Sequence, residues 1–208
     1  MTAPARREAA RLLLSLDPPA WFLAHACAVA DVAAWLARRA EAQGHEVDLA
    51  AVEAAALLHD VDKLPAVGRQ PEVRHGDGSA AWLTARGLPA LGELVRDHPV
   101  TRLVSPDDAA RLAGAPLEAR IVAYADKRAG QHLETMDARF ASWRRRYPAG
   151  TALAPKPGSR KAAWTDAEIA LVVDRAETLE REICAAAAAS PTTVQRLRWA
   201  RRAIGAAR

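Results

Sequence analysis

The chain has 208 residues, half of them hydrophobic and 26% charged, enough for one domain with a sizeable core and too apolar for disorder as its main state. Ala occurs 51 times, whereas Val, Ile and Thr are sparse outside short stretches, so the composition favours helix and excludes an all-β protein. A net charge of +4 and an isoelectric point near 9.5 suit an anionic ligand, although the excess of Arg over the four lysines reads equally as codon bias.

Cys27 and Cys184 lack CxxC spacing and fit neither a disulfide framework nor a thiolate metal site, so they read as core residues in a reducing cytosol. The apolar run Leu12 to Leu14 is too short for a signal peptide. No run approaches the roughly 18 residues of a membrane span. The expectation is a cytoplasmic protein with no membrane partner.

A first helix is predicted over residues 3–15, ending at Asp17-Pro18-Pro19. A second runs from about Pro19 to Gln43 and stops at Gly44. On it His25, Val29, Val32 and Leu36 share one face, which places a histidine among apolar neighbours. Asp48 caps a third helix that ends at Leu58 and His59. A loop over 64–76 leads to a short helix from Asp77 to Arg86, with His75 at its mouth. Another helix runs from Pro89 to about His98, and Pro99 breaks it. Ser105-Pro106 opens a short helix. A longer one from Pro116 to about Leu133 carries Val122, Asp126, Ala129 and Leu133 on one face. Phe140 and Trp143 lie on a further helix up to Pro148. The proline-rich stretch 148–163 reads as a linker. Thr165 and Glu168 form a capping box for a helix to about Ala189, and Ser190-Pro191 starts a terminal helix. The domain reading is a helical core over 1–147, a linker or loop over 148–163 and a helical extension over 164–208.

His25, His59, His75 and His98, with Asp60 and Asp126, occupy apolar or helix-terminal positions where unpartnered polar groups are costly. Coordination to a metal removes that penalty. Imidazole and carboxylate without thiolate suit iron, manganese or zinc. Six protein ligands are too many for one catalytic ion with open positions, so two ions sharing a carboxylate fit better. His45 and His132 read as surface residues. Asp62 reads as a solvated loop carboxylate or a partner of Lys63, with an auxiliary base as the sharper alternative. Trp21, Trp35, Trp82 and Trp143 read as core packing rather than base-stacking platforms.

The order of these residues resembles the HD-domain superfamily of metal-dependent phosphohydrolases. Segment 57–64 (LLHDVDKL) is similar to the family's HDIGK-type signature, with Asp62 where a small residue is usual. Segment 75–83 (HGDGSAAWL) resembles the His-Gly segment of the six-ligand branch. His98 and Arg102 keep the His-x-x-x-Arg spacing of its bacterial nucleotide-polyphosphate hydrolases, and YADK (124–127) is similar to the closing aspartate motif.

This resemblance covers roughly residues 20–133 and implies an all-α HD-domain helical bundle with additional C-terminal helices. It also implies two divalent transition-metal ions, iron or manganese, with magnesium, zinc, cobalt or nickel as alternatives. His25, His59, Asp60 and Asp126 would hold one ion and His75 with His98 the second, with Asp60 bridging. Asp60, Lys63 and Arg102 are the implied catalytic residues, and Lys63, Arg102 and Lys127 the implied contacts to the substrate's phosphate. The implied reaction is hydrolysis of a phosphoester or phosphoanhydride in a nucleotide or related metabolite by metal-activated hydroxide. After Asp126 the sequence departs from the dinucleoside-polyphosphate hydrolases, reading KRAGQHLE. A di-iron oxygenase of the same superfamily is the alternative enzyme, although Lys63 stands where one oxygenase branch has a second histidine. A non-catalytic nucleotide- or RNA-binding module, using Arg144 to Arg146 and the terminal arginines, is the alternative outside enzymes.

Overall fold

The computed structural model describes residues 6–68, 72–146 and 164–208. Ten α-helices run through them: α1 (Arg6–Leu14), α2 (Ala20–Ala42), α3 (Leu49–Leu58), α4 (Asp77–Thr84), α5 (Pro89–Arg96), α6 (Pro106–Ala113), α7 (Leu117–Arg128), α8 (Met136–Arg146), α9 (Asp166–Ala186) and α10 (Trp199–Ala207). The described residues contain no β-strand, and only an isolated bridge joins Ala129 to Leu133. The chain is therefore all-α, as its composition requires. The linker expected over 148–163 lies outside the described residues.

Helix α2 is the spine. Phe22, Val29, Val32 and Leu36 are fully buried on it, and it packs against α3, α7, α9 and α10. It is also long and apolar enough to cross a membrane, contrary to the expectation that no segment approaches a span. In the fold 67% of its 18-residue apolar window is buried inside the protein, as befits a core helix. Seven of its 13 buried residues are alanines, whose small side chains allow close approach of α3 and α7. The tight α4–α5 hairpin turns at Gly87, whose φ of +76° favours glycine.

Local chemistry sets several helix starts where the sequence predicts them. Asp48 accepts the Ala51 amide at 2.9 Å, Ser105 accepts that of Asp108, and Thr165 with Glu168 closes a capping box.

Two predicted ends are corrected. Helix α7 stops at Arg128 rather than near Leu133, because Ala129 is extended (φ −120°, ψ 126°) and begins a turn closed by its bridge to Leu133. After Ser190 the chain makes only a 3-10 turn over Pro191–Thr193, and the terminal helix begins at Trp199. Arg198 lies in the left-handed region at φ +61° and redirects the chain into α10.

The C-terminal helices are fastened to the core by polar bonds as well as apolar packing. Tyr124 on α7 donates its hydroxyl to Glu180 on α9 at 2.7 Å. Asp31, fully buried on α2, accepts the Ala200 amide in the first turn of α10 at 3.0 Å. That carboxylate meets the positive end of the α10 dipole and offsets part of its own burial cost. Asp31→Ala is expected to lower unfolding stability by about 1–3 kcal/mol, since it orphans a buried amide, and Asp31→Asn should lose less. Guanidinium unfolding of both variants checks this, and wild-type stability in Asp31→Ala would show that α10 docks without the bond.

Candidate metal centre

Five helices and their flanking turns deliver six side chains to one point. His25 sits in the second turn of α2, and His59 is the C-cap of α3, followed by Asp60. His75 precedes α4, His98 lies two residues beyond α5, and Asp126 stands in the last turn of α7.

The sequence folds so that each imidazole is gripped by its outer nitrogen. Nδ1 of His59 donates to the Ala56 carbonyl at 2.8 Å, and Nδ1 of His98 to that of Val95 at 2.6 Å. Both acceptors belong to the last turn of a helix, where carbonyls outnumber amide donors. Nδ1 of His25 donates to the Gly130 carbonyl at 2.8 Å, which the early end of α7 turns toward α2. His75 donates through Nδ1 to the Asp62 carboxylate at 2.9 Å. With Nδ1 carrying the proton in all four rings, each Nε2 presents a lone pair to the centre, as metal-ligating histidines do.

The Nε2 atoms of His25 and His59 are 3.1 Å apart. Two lone pairs facing at that distance repel unless a metal ion or a proton lies between them. Oδ2 of Asp60 lies 3.3 and 3.5 Å from these two nitrogens, and Oδ1 of Asp126 lies 3.4 and 3.7 Å from them. Asp60 turns its other oxygen to the second pair, with Oδ1 at 3.1 Å from Nε2 of both His75 and His98. Donor separations of this size suit atoms sharing a cation with bonds of about 2.0–2.2 Å. The donor set of nitrogen and oxygen therefore fits divalent metal, and His25, His59, Asp60, Asp126, His75 and His98 are the residues that would hold it.

The electrostatics agree. Against the pull of burial, Lys63 and His59 hold the Asp60 carboxyl well below the usual range, and hydrogen bonds with His25 and His59 do the same for Asp126. Burial opposes the charge on His25, yet its bonds to Asp126 and Asp60 win and push it up to about 10. His98 is driven down to about 4 by its complete burial. In the metal-free fold a proton on His25 thus supplies part of the charge that the two carboxylates demand.

Around this centre the remaining expected residues take different places. Lys63 donates to Asp60 Oδ2 at 2.6 Å and is 43% exposed, so it stands at the rim. Arg102 does not face the centre. Its side chain is 2% exposed and donates to the His75 carbonyl at 2.9 Å and to Asp77 at 2.8 Å. Helix α5 ends at Arg96 and Pro99 is extended (ψ 139°), so four residues after His98 is not one α-helical turn above it, and Arg102 braces the His75 loop. Lys127 is also corrected: it is fully buried, donating to the carbonyls of His98 and Ala123 at 3.0 and 3.2 Å. Neighbours on a helix point about 100° apart, which already separates Lys127 from the direction of Asp126.

Asp62 pairs with His75 rather than with Lys63, and its Oδ2 also accepts the Gly76 amide at 2.9 Å. The HGDG run makes room for this. Gly76 has φ +90° and a Cβ there would collide with the Arg96 carbonyl, while a Cβ on Gly78 would lie 2.8 Å from that of Asp62. His45 and His132 are exposed, as expected. Of the four tryptophans expected in the core, Trp82 and Trp143 are buried and Trp35 is half-buried, but Trp21 is 49% exposed.

A family model described as HD domain matches residues 22–130. The match spans more than half of the chain, which belongs to the HD-domain family, whose members are generally metal-dependent hydrolases. No curated protein and no solved structure matches it.

Removing the carboxylate behind His75 should loosen the centre without touching a ligand. Asp62→Ala is expected to weaken metal binding about 10- to 100-fold, with Asp62→Asn losing less, and competition with a chromogenic chelator measures both. Unchanged affinity in Asp62→Ala would remove this positioning role.

Metal binding should also release protons. Below about pH 10, metal-free His25 is charged beside Asp60 and Asp126, and an incoming cation must displace its proton. Apparent affinity should therefore rise with pH, by up to about tenfold per unit from this group, and level off above about pH 10. Titration in buffers of different ionisation enthalpy reads the proton count, and zero release at pH 7 would contradict it.

Proposed function

We propose that this chain is a dinuclear metal-dependent phosphohydrolase acting on a phosphoester or phosphoanhydride of a nucleotide or related phosphorylated metabolite. The division of Asp60 carries the reading. Oδ2 serves His25 and His59, and Oδ1 serves His75 and His98. One carboxylate oxygen per histidine pair supports two cations bridged by Asp60, with Asp126 completing the first set. Nitrogen and oxygen donors without thiolate suit iron, manganese or zinc.

Bound divalent ions lower the pKa of water and neutralise phosphoryl charge. The chain's own residues hold and screen the reacting group. Asp60 and Asp126 concentrate negative charge that draws the cations in, and the surrounding apolar core keeps bulk water away from His59 and His98, which are 0% and 1% exposed. Lys63 spans the rim. Lys63, which donates to Asp60 in the metal-free fold, would be free to donate to a phosphoryl oxygen once Asp60 held metal. A nucleophilic side chain is not required, because water is the attacking group. The free, buried thiols of Cys27 and Cys184 support a reducing, cytoplasmic setting.

Elemental analysis of wild-type protein should give close to two metal ions per chain, and Asp60→Ala should lose metal and all phosphate release on a nucleotide panel. One ion in fully reconstituted wild type would remove the dinuclear reading. Turnover should persist under strict anaerobiosis, and dependence on oxygen would make the chain an oxygenase instead.

Lys63→Ala should keep its metal and lose about 10- to 150-fold in kcat/KM, the range for one charge-assisted hydrogen bond. Steady-state kinetics that match wild type would confine Lys63 to neutralising Asp60 in the metal-free state.

A further inference from the structure

Trp21 is the one large hydrophobic side chain left exposed among the described residues, at 49%. A single exposed apolar residue is ordinary in itself. Its position is not. Trp21 lies in the first turn of α2, four residues before His25, so the two side chains share one helix face with their Cβ atoms about 5–6 Å apart. His25 sends Nε2 into the metal centre and is itself 13% exposed. The indole is therefore an exposed one-turn neighbour of a side chain of the centre.

Two features hold it there. Pro18 and Pro19 fix the backbone entering α2, and the Phe22 ring packs edge-on against the indole at 5.7 Å and 65°. The rim has a cationic part as well, the 43% exposed Lys63 that reaches Asp60 at 2.6 Å. An aromatic plane and an ammonium flanking one metal-binding centre complement a ligand that joins a flat ring to phosphate.

We propose that Trp21 is a stacking platform for the nucleobase of the substrate, which restricts the phosphorylated ligand to nucleotides. The proposal rests on the phosphohydrolase reading of the same centre. A base laid on the indole keeps its face in van der Waals contact while its phosphates extend toward Lys63 and the ligands of the centre. Every base has such a face, so the platform selects for an aromatic group and not for a particular base. Trp21 is a specificity residue, and the scissile bond is handled by the metal-holding side chains.

The test compares ADP with inorganic pyrophosphate, which share a phosphoanhydride and differ in the nucleoside. Metal-loaded wild type, Trp21→Ala and Trp21→Phe are titrated with each by calorimetry, and initial rates of phosphate release are measured in parallel. Trp21→Ala should weaken ADP binding about 5- to 150-fold and leave pyrophosphate binding and metal content unchanged, and Trp21→Phe should recover most of the loss. Equal weakening of both ligands, no weakening of ADP, or ADP binding no tighter than pyrophosphate in wild type would each overturn the platform. Loss of ADP binding in Trp21→Ala, with no phosphate release by wild type from ADP or from any member of the nucleotide panel, would retain the platform and remove the hydrolase. Full phosphate release with Trp21→Ala identical to wild type on ADP would do the reverse.

Discussion

The Asp60 carboxylate is 1% exposed, and its ionised form is the interaction on which the rest of the centre depends. An unpaired carboxylate at that depth costs several kcal/mol. Here four imidazole nitrogens and the Lys63 ammonium approach its two oxygens within 2.6–3.5 Å. Neutral imidazoles alone compensate poorly, because with Nδ1 protonated they offer lone pairs and not donors. Cations resolve the conflict, and protons do so only in part. The fold thus packs together a cluster of side chains whose mutual repulsion a bound metal relieves.

Helix ends are what make this packing economical. His59 and His98 follow the C-termini of α3 and α5 and use spare carbonyls there to orient their rings. The halt of α7 at Arg128 sends the Gly130 carbonyl to His25. His75 differs, because it sits on a loop and takes its orientation from Asp62, Gly76 and the buried Arg102. His75 consequently differs in its surroundings from the other three histidines. His25 and His59 are 13% and 0% exposed on helices of the core, whereas His75 is 32% exposed and held by a polar brace. His75 and Lys63, 32% and 43% exposed, are the most accessible side chains that touch Asp60.

Several misplacements of the sequence reading share one cause. Counting four residues from His98 to Arg102 assumes a helix, and the chain there is a 3-10 turn after Pro99. Placing Ala129 and Leu133 beside Asp126 assumes that α7 continues, and Ala129 is extended. Lys63 reaches Asp60 because a 3-10 turn brings positions three apart together. Asp62 was legible as unusual in its motif, but its partner lies 13 residues away across a loop that no periodicity describes.

By itself the sequence determined the helical class, the principal caps at Asp48, Ser105 and Thr165, and the ordered set of histidines and aspartates. These follow from local propensity and from the cost of leaving polar groups on apolar faces, both of which are readable residue by residue. Tertiary structure decided which oxygen of Asp60 meets which histidines, that Arg102 and Lys127 are buried braces, and that Trp21 stays at the surface. Such outcomes depend on directions between elements far apart in the chain, where small changes in a helix end redirect whole side chains. Periodicity along one helix carries no information about that angle.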